Sequence, residues 1–233
     1  MDNRTQSKIK FVGLHAHSVA GSPFDGMGYP KEHMEFAYSN GSDALALTDH
    51  GNMNGLAYQV LHGKKMSQEG KDFKPIYGVE AYFVPCLKEW RAKKEEFDKE
   101  KKARRKKSDD ENSGTTVEDE SASKSLIKNH VNRRRHLVLL ARNQQGLNNI
   151  FQLISKSYTE ECFYRYPRID FEMLSQYSEG IVAASACMGG VYAGDFWENR
   201  ENGPEAVLDA MRGTTKRMVE IFGDNWYGEL QWN

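Results

Sequence analysis

The chain has 233 residues, a formal net charge of −1 and 39% hydrophobic residues. This length suits one substantial core, such as a single α/β barrel, and the charge balance excludes a surface that attracts nucleic acid everywhere. The three cysteines are an odd, sparse set with no CxxC spacing, which fits a reducing cytosol better than a disulfide framework. The polar N-terminus lacks a signal-peptide core and no apolar run approaches about 20 residues, so we expect a cytoplasmic protein with no membrane partner.

Short apolar runs alternate with helix-like segments along the chain. The predicted elements, in chain order, are strand Phe11–His15, helix Pro30–Ser39, strand Ala44–Thr48, helix Leu56–Gln68, strands Ile76–Val84 and Leu137–Ala141, helix Leu147–Tyr158, strand Ile181–Ser185, helix Pro204–Phe222 and strand Trp226–Gln231. In the helix at 147–158, one buried face is predicted from the spacing of Leu147, Ile150, Phe151 and Ile154. Strands separated by helices are typical of parallel βαβ units. A (β/α) barrel and a doubly wound sheet both fit this α/β pattern.

One segment, from Lys88 to about Arg135, interrupts the alternation. It contains the basic block "KEWRAKKEEFDKEKKARRKK", then an acidic and polar block, then "NRRRH". The basic block has a helix-forming composition without an apolar stripe, so we expect it to pack onto no core. We predict a flexible, solvated insertion at 88–130 within a domain spanning 1–233. The alternative is a phosphate-backbone contact by Lys101–Lys107 and Arg133–Arg135.

Polar side chains collect at or beside the ends of the predicted strands. His15 and His17 are one residue apart in an extended segment, so their imidazoles point to the same side. In a barrel of parallel strands, the carboxyl ends share the face on which active sites are built. The candidate residues are His15, His17, Asp25, Asp49, His50, Glu80, His136 and Cys187. His136 fits least well, because it precedes its apolar run.

These imidazoles, carboxylates and thiol are the groups that bind metals in proteins. A carboxylate inside a strand is costly unless its charge is compensated, and metal ions would do this for Glu80. The mixed set favours two or three divalent cations and phosphate-ester hydrolysis. Taken singly, Asp49 could instead cap a helix and Cys187 could be a core residue. No GxxxxGK[ST] loop or GxSxG elbow supports another chemistry.

The motifs "LHAHS", "ALTDHGN" and "GVEAYF" resemble those of the PHP (polymerase and histidinol phosphatase) phosphoesterase family. The segments "HLVLLARNQQGLNNIFQLISKSY", "YPRIDFEML" and "SEGIVAASACMGG" follow in the order seen at the N-terminus of bacterial DNA polymerase III alpha subunits. The resemblance implies a distorted (β/α) TIM-like barrel that binds a cluster of zinc, manganese or similar ions. It implies that the metal ligands are His15, His17, Asp25, His50, Glu80, His136 and Cys187.

The same resemblance implies a domain associated with 3′–5′ exonuclease activity at a DNA 3′ end and with support of the polymerase fold. We assign catalytic roles to Asp25, His50 and Asp49 and a phosphate or DNA contact to Arg168; Asp49 could instead orient His50. Two alternatives remain: a catalytically silent metal-binding domain that docks the rest of the polymerase, and a free-standing small-molecule phosphatase.

The sequence departs from the family pattern near its end. The family continues to a late Asp-x-His pair, whereas this chain stops at "YGELQWN" with no such pair after Glu229. We therefore expect a barrel that is incomplete at its C-terminus and a weakly active or inactive isolated chain. Its metal site would be completed by the remainder of the alpha subunit or by a second chain. No residues for nucleotide transfer are found, so polymerisation by this chain alone is not expected.

Overall fold

A computed structural model describes residues 11–110 and 131–231, with side chains described outside 104–110. Within these ranges the helices are α1 (Pro30–Ser39), α2 (Leu56–Gln68), α3 (Leu87–Asp110), α4 (Gln144–Ser157), α5 (Phe171–Tyr177), α6 (Val191–Asn199) and α7 (Pro204–Phe222). The strands are β1 (Ala44–Leu47), β2 (Lys74–Phe83), β3 (Arg135–Ala141), β4 (Phe163–Tyr164), β5 (Tyr166–Pro167), β6 (Ile181–Ala184) and β7 (Trp226–Tyr227). None of the described helices is long and apolar enough to cross a membrane.

The main sheet has five strands in the order β1-β2-β3-β6-β7, and β4 and β5 form a separate hairpin. The outer pairs, β1 with β2 and β6 with β7, are parallel, which agrees with the predicted α/β class. The predicted strand at Phe11–His15 is wrong as a regular strand, because only Gly13 forms a bridge, to Leu45. Further along, the Ala16 amide donates to the Thr48 hydroxyl rather than to a strand carbonyl.

The central strand β3 runs antiparallel to both of its neighbours, so the expectation of uniformly parallel βαβ units is wrong here. Its N-terminal end therefore lies at the same end of the sheet as the carboxyl ends of β2 and β6. This direction explains why His136 precedes its apolar run: Tyr82, near the end of β2, is paired with His136 at the start of β3. Both positions therefore lie at the same end of the sheet, and their side chains point to the same face.

The alternation of side chains along β2 and β3 separates two environments. Val79, Ala81 and Phe83 pack with Leu137 and Leu139 in the main core under the helices. Residues at the intervening positions point to the opposite face, because successive side chains alternate across a sheet. There Val138 and Leu140 form a smaller apolar cluster with Ala46 and Ala186. Glu80 pairs with Val138 across the strands and lies on this inner face.

The two edges of the sheet approach each other at the end that carries His15. The His15 Nδ1 atom lies 2.7 Å from Glu229 Oε1, two residues beyond β7, although the two residues are separated by 214 positions. Gln231 Nε2 lies 3.3 Å from the same imidazole nitrogen. The sheet is therefore curved. Among the described residues no strand pairing joins these edges, so they are bridged by side chains.

Several predicted helices are confirmed at their predicted bounds, namely 30–39, 56–68 and 204–222. The helix predicted from Leu147 begins at Gln144, because the Asn143 side chain caps it by accepting from the Gly146 amide at 2.9 Å. Its buried face also differs from the prediction. Gly146, Asn149, Ile150 and Leu153 are buried, whereas Phe151 is 39% exposed.

The charged segment begins inside the fold. Trp90, in the first turn of α3, is 5% exposed, and its indole N–H donates to the Val131 carbonyl at 3.0 Å. Leu87 and Cys162 are buried in the same cluster. The expectation that residues from Lys88 onward pack onto no core is therefore wrong for this turn. Residues 111–130 lie outside the described residues, so the insertion itself stays a prediction.

The first turn of α3 gives a direct test of this boundary. We expect Trp90→Ala to lower the free energy of unfolding by about 3–5 kcal/mol, because it removes a buried indole and leaves a cavity. Replacing residues 111–130 by a short Gly/Ser linker should leave that free energy nearly unchanged, because exposed loops cost little closure entropy. The measurement is urea unfolding, with Trp197→Ala, at a 55% exposed indole, as control. Equal losses in the free energy of unfolding for Trp90→Ala and Trp197→Ala would contradict a stabilising role for the buried Trp90.

Candidate metal centre

The Glu80 side chain is fully buried and is surrounded by imidazoles. Its Oε1 atom lies 3.2 Å from His15 Nε2 and 2.9 Å from His136 Nδ1. Its Oε2 atom lies 3.4 Å from His17 Nε2 and 2.6 Å from His50 Nδ1. The structure thus brings four of the predicted histidines to one carboxylate. They come from three places, namely the segment beside β1, the loop after β1 and the start of β3.

The loop after β1 holds His50 against Glu80 through backbone pairing. The Glu80 amide donates to the Asp49 carbonyl at 3.1 Å, and the Gly51 amide donates to the Glu80 carbonyl at 2.8 Å. The His50 imidazole is stacked on His17, with ring centroids 4.2 Å apart. On its outer side, His50 Nε2 lies 2.7 Å from Asp25 Oδ2, so Asp25 joins the site at its solvent-facing edge.

Cys187 completes the predicted set at the end of β6. Its Sγ atom lies 3.6 Å from Glu80 Oε1 and 3.5 Å from His136 Nδ1. The preceding residue, Ala186, has φ of 60°, a left-handed conformation that is costly for a residue with a Cβ. This turn directs the thiol toward Glu80, and the His136 amide is held by the Gly189 carbonyl at 2.8 Å.

Asp49 is close to the site in sequence but does not contribute its carboxylate to it. Its Oδ1 atom accepts from the Ser18 amide at 2.7 Å and the Ser22 hydroxyl at 3.1 Å, and its Oδ2 atom accepts from the Ser18 hydroxyl at 2.8 Å. Gly21 packs against it, since a Cβ at Gly21 would lie 2.5 Å from the Asp49 Cβ. The predicted catalytic role of Asp49 is therefore corrected: it positions the loop that carries Asp25.

The predicted phosphate contact of Arg168 is wrong. This side chain is fully buried, and its guanidinium donates to the carbonyls of Tyr164, Tyr166 and Val131 at 2.8–3.0 Å. The guanidinium also lies 4.5 Å from the Trp90 ring. Arg168 therefore fixes irregular backbone beside α3 and cannot reach a phosphate in solvent.

Charge in the site is set by burial and by the close contacts. Burial raises the pKa of Glu80, but hydrogen bonds from the surrounding imidazoles outweigh it and hold that pKa well below its usual range. Burial lowers the pKa of His15, but its hydrogen bonds to Glu229 and Glu80 raise it to about 9. Burial lowers the pKa of His17, and burial raises that of the Cys187 thiol. The cluster thus keeps Glu80 ionised among nitrogen donors.

The described residues fit divalent metal ions. Three overlapping groups of donor atoms each lie within 4.8 Å of one another, namely His15, His17 and Glu80; His17, Asp25 and His50; and His50, Glu80 and His136. His17 Nδ1 is buried without a hydrogen-bond partner, and the 2.6 Å contact between His50 Nδ1 and Glu80 Oε2 lacks hydrogen-bond geometry. Unsatisfied buried donors and acceptors are costly, and an ion bound to them would remove that cost. Nitrogen, oxygen and sulfur donors of this kind are the groups that bind divalent metal ions in proteins.

Comparison with known proteins agrees with this geometry. The model of the PHP domain family matches residues 13–233. The chain belongs to the PHP domain family. It therefore shares a family with the proteins whose motifs the sequence resembles, and the resemblance is confirmed.

The relatives of this PHP domain are much longer chains. The DNA polymerase III subunit alpha of Deinococcus radiodurans is 32% identical over 226 residues, which cover 95% of this chain and 14% of that protein. The corresponding subunit of Aquifex aeolicus is 34% identical over 223 residues, covering 96% of this chain and 16% of that protein. This PHP domain thus spans about one sixth or less of their length. A solved amidohydrolase from Chromobacterium violaceum superposes with a TM-score of 0.40 at 13% identity, over 93% of this chain and 84% of its own.

One site residue, Glu229, was not predicted. Glu229 falls inside the strand predicted at Trp226–Gln231, whereas the structure ends that strand at Tyr227 and leaves Glu229 two residues beyond it. The Ser185 hydroxyl accepts from its amide at 2.9 Å and so holds it beside His15. The sequence feature that points to Glu229 is a carboxylate close to the last strand of the sheet.

The raised pKa of His15 predicts opposite pH responses for the metal-free and metal-bound protein. Its proton stabilises the metal-free fold fully below about pH 6.5, and this contribution is lost as the pH rises through about 9. A divalent ion competes with the proton, so metal affinity rises over the same window. We expect the increase in Tm caused by Mn²⁺ to be larger at pH 8.5 than at pH 6.5.

The measurement is a thermal melt with EDTA or Mn²⁺ across this range. Glu229→Gln is the matched variant, because it removes one carboxylate that stabilises the charged imidazole. Its metal-free protein should lose less stability between pH 6.5 and pH 9 than the wild type. An Mn²⁺ effect that is independent of pH in both proteins would contradict the assignment of His15.

Proposed function

We propose that this PHP domain is a metal-dependent phosphoesterase of a DNA polymerase III alpha subunit and removes nucleotides from a DNA 3′ end. The observation that carries the proposal is the buried Glu80 carboxylate with four imidazoles around it. The similarity to polymerase alpha subunits supports the DNA substrate. The seven predicted ligands would hold two or three divalent ions, which activate water and stabilise the leaving oxygen of a phosphodiester.

The exposure of the ligands indicates where a substrate approaches. Glu80 forms the floor of the site, whereas the Asp25 side chain is 49% exposed at its rim. Burial lowers the pKa of His50, but the carboxylates of Glu80 and Asp25 raise it above the usual value. The His50 Nε2 atom lies 2.7 Å from Asp25 Oδ2, so both side chains offer donor atoms at the rim, where a substrate phosphate would approach.

A second candidate function is a metal-bound structural domain without turnover. It is favoured by the positions of the donor atoms, which join the segment beside β1, β2, β3, the turn after β6 and, through Glu229, the end of the chain. A bound ion would then stabilise the curved sheet and present it to the rest of the polymerase.

Substitution at Asp25 separates the two functions. We expect Asp25→Asn to reduce removal of a mismatched 3′ nucleotide by at least about 100-fold, because it weakens a metal ligand at the solvent-facing edge of the site. The Tm should change little, because this carboxylate is half exposed. Glu205→Gln, at a 78% exposed carboxylate on α7, is the matched control. A wild-type chain that binds metal but removes no nucleotide, even with the remainder of an alpha subunit added, would favour the structural function instead.

A further inference from the structure

Beside the metal centre, arginine side chains alternate with tyrosine rings. The Tyr82 ring is parallel to His50, with centroids 5.9 Å apart, and lies 5.4 Å from the His136 ring. The Arg134 guanidinium lies 4.8 Å from the centre of the Tyr82 ring and 3.6 Å from that of Tyr166. The series thus runs outward from the metal ligands without a break.

The β4–β5 hairpin continues this series. Arg165 is exposed at its tip with φ of 60°, between Tyr164 and Tyr166, and its guanidinium lies 5.8 Å from the Tyr164 ring. The left-handed conformation is unusual for a residue with a side chain. It makes the two-residue strands meet at Arg165 and keeps the guanidinium at the surface beside the tyrosines.

The charges of Arg134 and Arg165 are not neutralised by the described part of the protein. In residues 11–110 and 131–231, no ion pair joins either side chain to a carboxylate, whereas the adjacent Arg135 contacts Asp195 at 2.7 Å and Glu198 at 2.8 Å. The Nε atom of Arg134 is buried and has no hydrogen-bond partner. The phosphate contact predicted for Arg133–Arg135 is therefore wrong for Arg135, which is structural.

We propose that Arg134, Arg165, Tyr164 and Tyr166, named here the arginine–tyrosine track, bind a single-stranded DNA segment whose 3′ end enters the metal centre, while the buried Tyr82 holds Arg134 beside that centre. The inference rests on the proposed function and deepens it. Guanidinium groups bind phosphates through several N–H donors, and aromatic faces stack on any unpaired base. A small phosphate monoester would have nothing to contact outside the metal centre, so the track selects a polynucleotide.

The test is binding of a 5′-fluorescent oligothymidylate with a 3′-terminal phosphorothioate, followed by anisotropy at several salt concentrations. Methionine keeps the apolar contact with the rings and removes the charge. We expect Arg134→Met and Arg165→Met each to weaken binding about tenfold. Each lost phosphate contact should also reduce the slope of log affinity against log salt by roughly 0.7.

The matched control is Arg200→Met, because Arg200 also stacks on an aromatic ring, 4.5 Å from Trp197, at the far end of α6. Metal content and Tm should be unchanged in all three variants. An Arg134→Met/Arg165→Met variant with the affinity and salt slope of the control would overturn the track. Tighter binding of duplex than of single strand, with the same arginine dependence, would also overturn it.

A second readout separates this inference from the proposed function. Hydrolysis of bis(p-nitrophenyl) phosphate by the wild type tests the phosphoesterase proposal alone, because this small diester needs the metal centre but no second phosphate contact. Absence of this hydrolysis in the wild type, with the remainder of an alpha subunit added, would contradict the phosphoesterase proposal. The DNA affinities of the arginine variants and the control would still test whether the arginine–tyrosine track binds single-stranded DNA.

Discussion

The structure depends on the burial of one carboxylate, Glu80. A fully buried negative charge is costly unless cations or hydrogen-bond donors compensate it. Four histidines from distant parts of the sequence supply that compensation, and the Cys187 thiol adds a fifth contact. The imidazoles that stabilise the buried Glu80 charge in the metal-free protein are also the groups that would bind a divalent ion. An ion bound at this site would therefore couple folding to metal binding.

The path of the chain makes this convergence possible. The antiparallel direction of β3 moves His136 to the end of the sheet at which β2 ends. The curvature of the sheet then brings the residues after β7 to His15, on the opposite edge. Asp49 contributes indirectly, because its carboxylate holds the loop from which Asp25 reaches His50. A flat sheet would separate His15 from Glu229, so the curvature has a chemical consequence.

The sequence predicted much of this site but not its support. Histidines, a carboxylate and a cysteine beside strand ends were recognisable, because ligand chemistry depends on residue type and strand position. Burial and hydrogen-bond partners are not recognisable from the sequence, which is why it predicts a phosphate contact for Arg168 and a catalytic role for Asp49. Trp90 was missed as an anchor, because its charged neighbours hide a single buried turn. The pattern of apolar runs also does not determine the direction of a strand, and it therefore predicts a parallel β3.

The most direct test of this account is the metal content of Glu80→Gln, measured by plasma mass spectrometry after dialysis against Mn²⁺ or Zn²⁺. Asp170→Asn is the control, because Asp170 is also buried but caps α5 and contacts no candidate ligand. The account predicts that the Glu80 variant, shown to be folded by circular dichroism, loses most of its metal while the control keeps it. Equal metal per chain in the two variants and the wild type would contradict the central role of Glu80.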